Sequence, residues 1–215
     1  MGQAGTVSRD PGSPNGRLPG VRVDLYWIPL GAGATVVRVS GKLYEGLVAA
    51  VRRRPQCNLY HSALIASVGD HEIVIEMAPV PDGRGRHERG VVGEGPVGSR
   101  LLRRLRVFRY EIRCWPGGVI PDLSHAVASP VRVSEDPAIV QNVVDLVPLV
   151  PTLVWGRDEI RAGEMWNSNS VVSWVLTRAG VDAAAGRPPG GGRAPGWDAG
   201  IVAARAGRRQ LSDTS

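Results

Sequence analysis

Two asparagine–serine pairs, Asn167-Ser168-Asn169-Ser170, stand directly before the apolar run Val171-Val172-Ser173-Trp174-Val175-Leu176. Small polar residues in that place mark a helix N-terminus, where backbone N–H groups lack intrahelical partners and the helix dipole is positive. A hydroxyl there becomes a nucleophile when a base takes its proton, and nearby N–H groups can serve the oxyanion that forms. The simpler role for Asn167-Ser168 is a helix cap. A base is available far upstream, in Leu59-Tyr60-His61-Ser62-Ala63-Leu64-Ile65. Ser168 and His61 are therefore the candidate nucleophile and base.

A third group follows from a turn. Residues 58–68 and 71–78 read as strands flanking Gly69-Asp70, a favoured two-residue hairpin turn. That register pairs Val68 with His71 and Ala63 with Glu76. His61 and Glu76 then share a face one diagonal step apart, about 7 Å between backbones. A carboxylate so placed can hold the imidazole in one tautomer. His61 equally reads as a core histidine among Leu59, Ala63 and Ile65, with Glu76 as a polar group needing a partner. His71, His87 and His125 lie in turn-like or loop-like contexts.

The elements that must position these groups are legible in part. Residues 1–20 read as a disordered leader, 21–182 as one domain, and 183–215 as a Gly/Pro-rich tail. Strands are expected at 21–28 and 34–39, then a helix capped by Ser40 with Leu43, Tyr44, Leu47, Val48 and Val51 on one stripe. Residues 79–98 read as loop. Residues 107–114 alternate, with Phe108, Tyr110, Ile112 and Cys114 on one face and Arg109, Glu111 and Arg113 on the other. Asp136-Pro137 caps a helix that buries Ile139, Val140, Val143, Val144 and Val147. The late helix buries Val171, Val172, Val175, Leu176 and Ala179 and stops at Gly180. The sum is an α+β domain with an antiparallel sheet packed against helices.

Composition narrows the partners. The chain has 215 residues, 43% hydrophobic, with a formal charge of +6. Twenty-five of the 26 basic residues are arginines spread along the chain. No recognition module accompanies them, so nucleic acid is not expected as a partner. The run Ser99-Arg100-Leu101-Leu102-Arg103-Arg104-Leu105-Arg106 reads either as a solvated surface or as a cationic face for phosphates or anionic lipid. Cys57 and Cys114 have no CxxC neighbour, so no metal site or disulfide framework is expected. No apolar run is long enough to span a bilayer, and the expected setting is the cytoplasm. Gly93-Glu94-Gly95-Pro96-Val97-Gly98 matches GxGxxG literally. Pro96 lacks an N–H and Glu94 repels phosphate, so no nucleotide and no other cofactor is expected. Oligomeric state stays open.

Tyr60-His61-Ser62-Ala63-Leu64, Val74-Ile75-Glu76-Met77-Ala78-Pro79 and Asn167-Ser168-Asn169-Ser170-Val171-Val172 together resemble the circularly permuted NlpC/P60 (papain-like) superfamily, with its LRAT-like, PPPDE-like and YiiX-like members. The resemblance spans roughly residues 55–180. It implies a permuted papain-like fold and amide or ester chemistry, either hydrolysis or acyl transfer. His61 matches the family histidine, Glu76 its third polar residue, and Ser168 stands where the family has cysteine. Cys57 lies four residues before His61, roughly 13 Å away in an extended chain, and does not replace that cysteine. Two readings follow. Either Ser168, His61 and Glu76 form a working Ser-His-Glu site on an amide or ester substrate, or the site has become a binding or scaffold pocket.

Overall fold

Gly69 adopts a positive φ of 61°, which a tight hairpin turn requires and glycine supplies without steric cost. The turn pairs Val68 with His71 and Leu64 with Ile75, the register expected from the sequence. This hairpin lies at the centre of the sheet. The computed structural model describes residues 20–30, 58–80, 87–120 and 122–212. The expected strand at 34–39, the helix capped by Ser40, Cys57 and nearly all of the leader lie outside the described residues.

Six strands, β1 (Arg22–Pro29), β2 (Tyr60–Val68), β3 (His71–Pro79), β4 (Val91–Pro96), β5 (Arg109–Pro116) and β6 (Val131–Ser134), form one sheet of order β4-β5-β3-β2-β1-β6. Every pairing is antiparallel. Three α-helices occur among the described residues: α1 (Pro137–Leu146), α2 (Ser168–Arg178) and α3 (Trp197–Ser212). None is long and apolar enough to cross a membrane. The architecture is α+β.

Alternation assigns the two faces of the sheet. Leu64, Ala66, Ile75, Met77 and Trp27 join Val171, Val172, Val175 and Leu176 of α2 in the main core. Tyr26, Ile28, Ala63, Ile65 and Val74 pack on the opposite face beneath Ile120. Helix α2 is buried along nearly its whole circumference, as expected of a helix enclosed by sheet and neighbouring helices. Asp136 caps α1 by accepting from the Ala138 N–H at 2.8 Å, and Val140 and Val143 face inward. Gly180 ends the α2 region with a φ of 95°.

Two expectations need correction. Residues 91–96 form an edge strand rather than loop, and Gly95 lies so close to Tyr110 that an added Cβ would sit 2.2 Å from its ring. Gly95 thus admits the Tyr110 ring. Beyond residue 182 the chain is also no appended tail. Trp197 is buried and meets Trp27 with ring centroids 5.0 Å apart. A Cβ on Gly200 would lie 2.1 Å from the Ser170 carbonyl oxygen, so the glycine permits backbone-to-backbone contact between α3 and α2. Gly192, Gly196 and Gly200 in this stretch serve close packing rather than chain freedom.

Candidate active site

Antiparallel pairing brings the ends of β1 and β3 and the start of β2 to the same end of the sheet. The N-terminus of α2 arrives at that end, and a cleft opens there. It encloses about 770 Å³ of empty space, part of it open to solvent, and is lined by Ile28, Met77, Trp155, His61, Glu76 and Ser168 among others. Its walls are mostly apolar.

The structure brings Ser168 and His61 together. Ser168 Oγ lies 2.6 Å from His61 Nδ1. A neutral imidazole protonated on Nε2 accepts the serine proton at Nδ1. Burial pushes the imidazole pKa down to about 4, so His61 is neutral at physiological pH.

The polar residues around Ser168 are engaged in structure. Asn167 Oδ1 accepts from the Asn169 and Ser170 N–H groups, and Ser170 Oγ accepts from the Asn167 N–H, a reciprocal capping box. Ser170 Oγ donates to Gly196 O at 2.7 Å, and Asn167 Nδ2 donates to Pro195 O at 2.8 Å. Asn169 donates to Tyr60 O at 2.9 Å and accepts from Ser62 Oγ at 2.8 Å. Tyr60 and Ser62 flank His61 in β2, so Asn169 fixes the helix start against the strand on both sides of the histidine. Within the Asn-Ser-Asn-Ser run, Ser168 is the residue whose side chain meets the imidazole. The cap side chain does not take the Ser168 N–H, which leaves that group in the first turn to serve an oxyanion.

Glu76 lines the same cleft but its carboxylate is committed to Arg113. Arg113 Nη1 donates to Glu76 Oε1 at 2.9 Å, and the two residues are cross-strand partners between β3 and β5. The pair continues inward. Arg113 reaches Glu111 at 3.1 Å, and Arg89 grips Glu111 with two hydrogen bonds at 2.5 and 2.9 Å. All four side chains are buried. Burial raises the Glu76 pKa above its ordinary value, with the Arg113 charge pulling against it. Burial alone would raise Glu111 as well, but the hydrogen bonds and charges of Arg89 and Arg113 outweigh it and leave Glu111 lowered.

Sequence reasoning missed Arg113 because the alternation of β5 assigned Arg109, Glu111 and Arg113 to a solvent face. The opposite charges two residues apart, with Glu76 on a neighbouring strand, were the available signal. Cys114 is unpaired. Burial pushes its thiol up to about 11, with Asp145 adding to the shift, so it is a weak nucleophile. Among the described residues no cluster of three or more His, Cys, Asp or Glu side chains is arranged to hold a metal ion. Comparison of the chain with known protein families, with curated proteins and with solved structures gives no match.

Proposed function

We propose that the chain is a hydrolase or acyltransferase that acts on an ester or amide through Ser168. The 2.6 Å contact between Ser168 Oγ and His61 Nδ1, at a helix N-terminus opening on a cleft, carries this reading. His61 takes the serine proton as Oγ attacks the carbonyl carbon. The oxyanion meets the Ser168 N–H and the positive end of α2. The imidazolium then gives its proton to the departing alkoxide or amine, and water or an acceptor alcohol or amine releases the acyl group from Ser168. Glu76 lines the cleft wall, where Arg113 holds its carboxylate. The motifs around His61, Glu76 and Ser168, with the antiparallel sheet and buried helix, support assignment to the permuted NlpC/P60-like group.

The test is covalent. A fluorophosphonate probe should add one phosphonyl group at Ser168, detected by intact mass and peptide mapping. Ser168→Ala should abolish labelling and His61→Gln should slow it by roughly 100-fold or more. Absence of labelling together with absence of ester hydrolysis would favour a second reading, a non-catalytic binding protein using the same cleft. Two observations favour that alternative: Glu76 is tied to Arg113, and an imidazole of pKa about 4 is a weak base. Ser168→Cys separates the readings further. A poised pocket lowers the thiol pKa and makes it readily alkylated near neutral pH, whereas an ordinary thiol marks a site without that environment.

A further inference from the structure

We propose that residues 99–107 form a docking surface for an anionic lipid bilayer. Four of the ten exposed large apolar side chains among the described residues fall here: Leu101 at 88% exposure, Leu102 at 39%, Leu105 at 54% and Val107 at 73%. Isolated exposed apolar side chains are ordinary, but four within seven residues make a patch, and such patches mark interaction sites. The same stretch carries Arg100, Arg103, Arg104 and Arg106 and no acidic residue.

The base of the segment is fixed. Gly98 donates its N–H to Trp155 O at 2.9 Å, Ser99 Oγ accepts from the Leu101 N–H at 3.3 Å, and Arg100 clasps Glu159 with hydrogen bonds of 2.8 and 3.0 Å. Two 3-10 turns, Arg100–Arg104 and Arg106–Phe108, present the side chains outward. Among the described residues no carboxylate pairs with Arg103 or Arg104. The segment is held at its root, with Leu101 almost fully in water and Val107 largely so.

This combination selects the partner. A phosphate-rich nucleic acid satisfies the arginines but has no use for Leu101 and Val107. An apolar protein groove accepts the leucines but must bury the arginines. At an anionic bilayer, aliphatic side chains enter the acyl boundary while guanidinium groups remain among the phosphates. Each arginine near such a surface strengthens binding about fivefold. The attachment is peripheral and reversible, and it weakens with added salt. Because Trp155 also lines the cleft, the docking segment hangs from the cleft wall, although its binding does not depend on what the cleft does.

The experiment is co-sedimentation of the full chain with vesicles of phosphatidylcholine alone and of phosphatidylcholine mixed with phosphatidylglycerol, at low and high salt. Binding is expected to the mixed vesicles only. Replacing Arg103 and Arg104 together with serine should weaken it about 25-fold, and replacing Leu101 and Val107 with serine by about tenfold or more at unchanged charge. These side chains are exposed, so the variants should keep the parent thermal transition. The proposal is overturned if mixed vesicles are not bound, or if neutral vesicles are bound as well. It is overturned equally if the leucine and valine replacements leave binding unchanged while soluble heparin competes, which would indicate a purely ionic partner. A concentration-dependent dimer that disappears in the Leu101 and Val107 variant would make the occupant a second copy, and would also overturn it.

Discussion

Asn169 accepts a hydrogen bond from Ser62 at 2.8 Å, joining the first turn of α2 to β2 across 107 positions of chain. The same side chain donates to Tyr60 O and Pro195 O, both at 2.9 Å. These bonds, rather than the cap alone, set Ser168 opposite His61. Asn169→Leu leaves three buried polar groups without this partner, and the expected loss is about 3 kcal/mol. The thermal midpoint should fall by roughly 6–12 °C in calorimetry, and probe labelling of Ser168 should collapse even below that midpoint. Asn169→Asp keeps the acceptor for Ser62 but loses both donors, so it should not rescue. A near-neutral effect of Asn169→Leu would sink this account of the site's alignment.

Much of that alignment was legible. Gly69-Asp70 specified the hairpin register because turn type and side-chain alternation both act locally. The polar run before Val171 announced the helix start for the same reason. What could not be read was any pairing between distant strands. Whether β5 lies beside β3 decides if Arg113 meets Glu76 or water, and alternation within β5 alone points to water. The stretch after residue 182 was misleading for a related reason. Glycine signals both free chain and close approach, and only the partner surface, here Ser170 and Ser173 on α2, distinguishes the two.

His61 sets a pH signature. The unfolded chain takes up a proton near pH 6.5, whereas the folded imidazole stays neutral down to about 4. Between these values the unfolded state binds more protons, so stability falls as the pH drops through this window. The shift corresponds to roughly 3 kcal/mol, fully lost below pH 4. Glu76, raised by burial, acts in the opposite sense, losing stability as pH rises above its unfolded value. That contribution is common to both chains in a comparison with His61→Gln. Denaturant midpoints across pH 4 to 6.5 should therefore decline more steeply for the parent chain than for His61→Gln. Parallel curves would show that the imidazole is not shielded. For the reaction, the same displacement puts the acid limb of kcat/KM near pH 4 to 5 rather than 6 to 7.

Arg113 is the shared member of the buried charge network, touching Glu76 at 2.9 Å and Glu111 at 3.1 Å. Arg113→Met removes a cation and leaves Glu76 without its partner in a buried place. The expected cost is about 3–5 kcal/mol, measured by chemical denaturation. Adding Glu76→Gln should recover part of it, because the orphaned carboxylate disappears while Arg89 still neutralises Glu111. Additive losses in the double variant would mean that the Glu76–Arg113 pair is not energetically coupled.

Two glycines on α3 test how that helix holds the site. A Cβ on Gly200 would lie 2.1 Å from both Ser170 O and Ser173 Oγ, whereas one on Gly207 would, among the described residues, approach only Arg178 Nη1, at 3.5 Å. Helix propensity alone predicts that alanine stabilises either position by about 1 kcal/mol. At Gly207 that gain should appear. At Gly200 the contact with α2 is backbone and cannot swing away, so α3 must shift outward. The expected net loss is about 2 kcal/mol. Ser170 and Ser173 belong to the same helix as Ser168, and Ser173 Oγ also donates to Trp197 O at 2.7 Å, so the displacement reaches the reactive end of α2. Gly200→Ala should lower the rate of probe labelling at Ser168 while Gly207→Ala leaves it unchanged. Equal thermal midpoints and equal labelling in the two variants would show that α3 is not a structural support for the site.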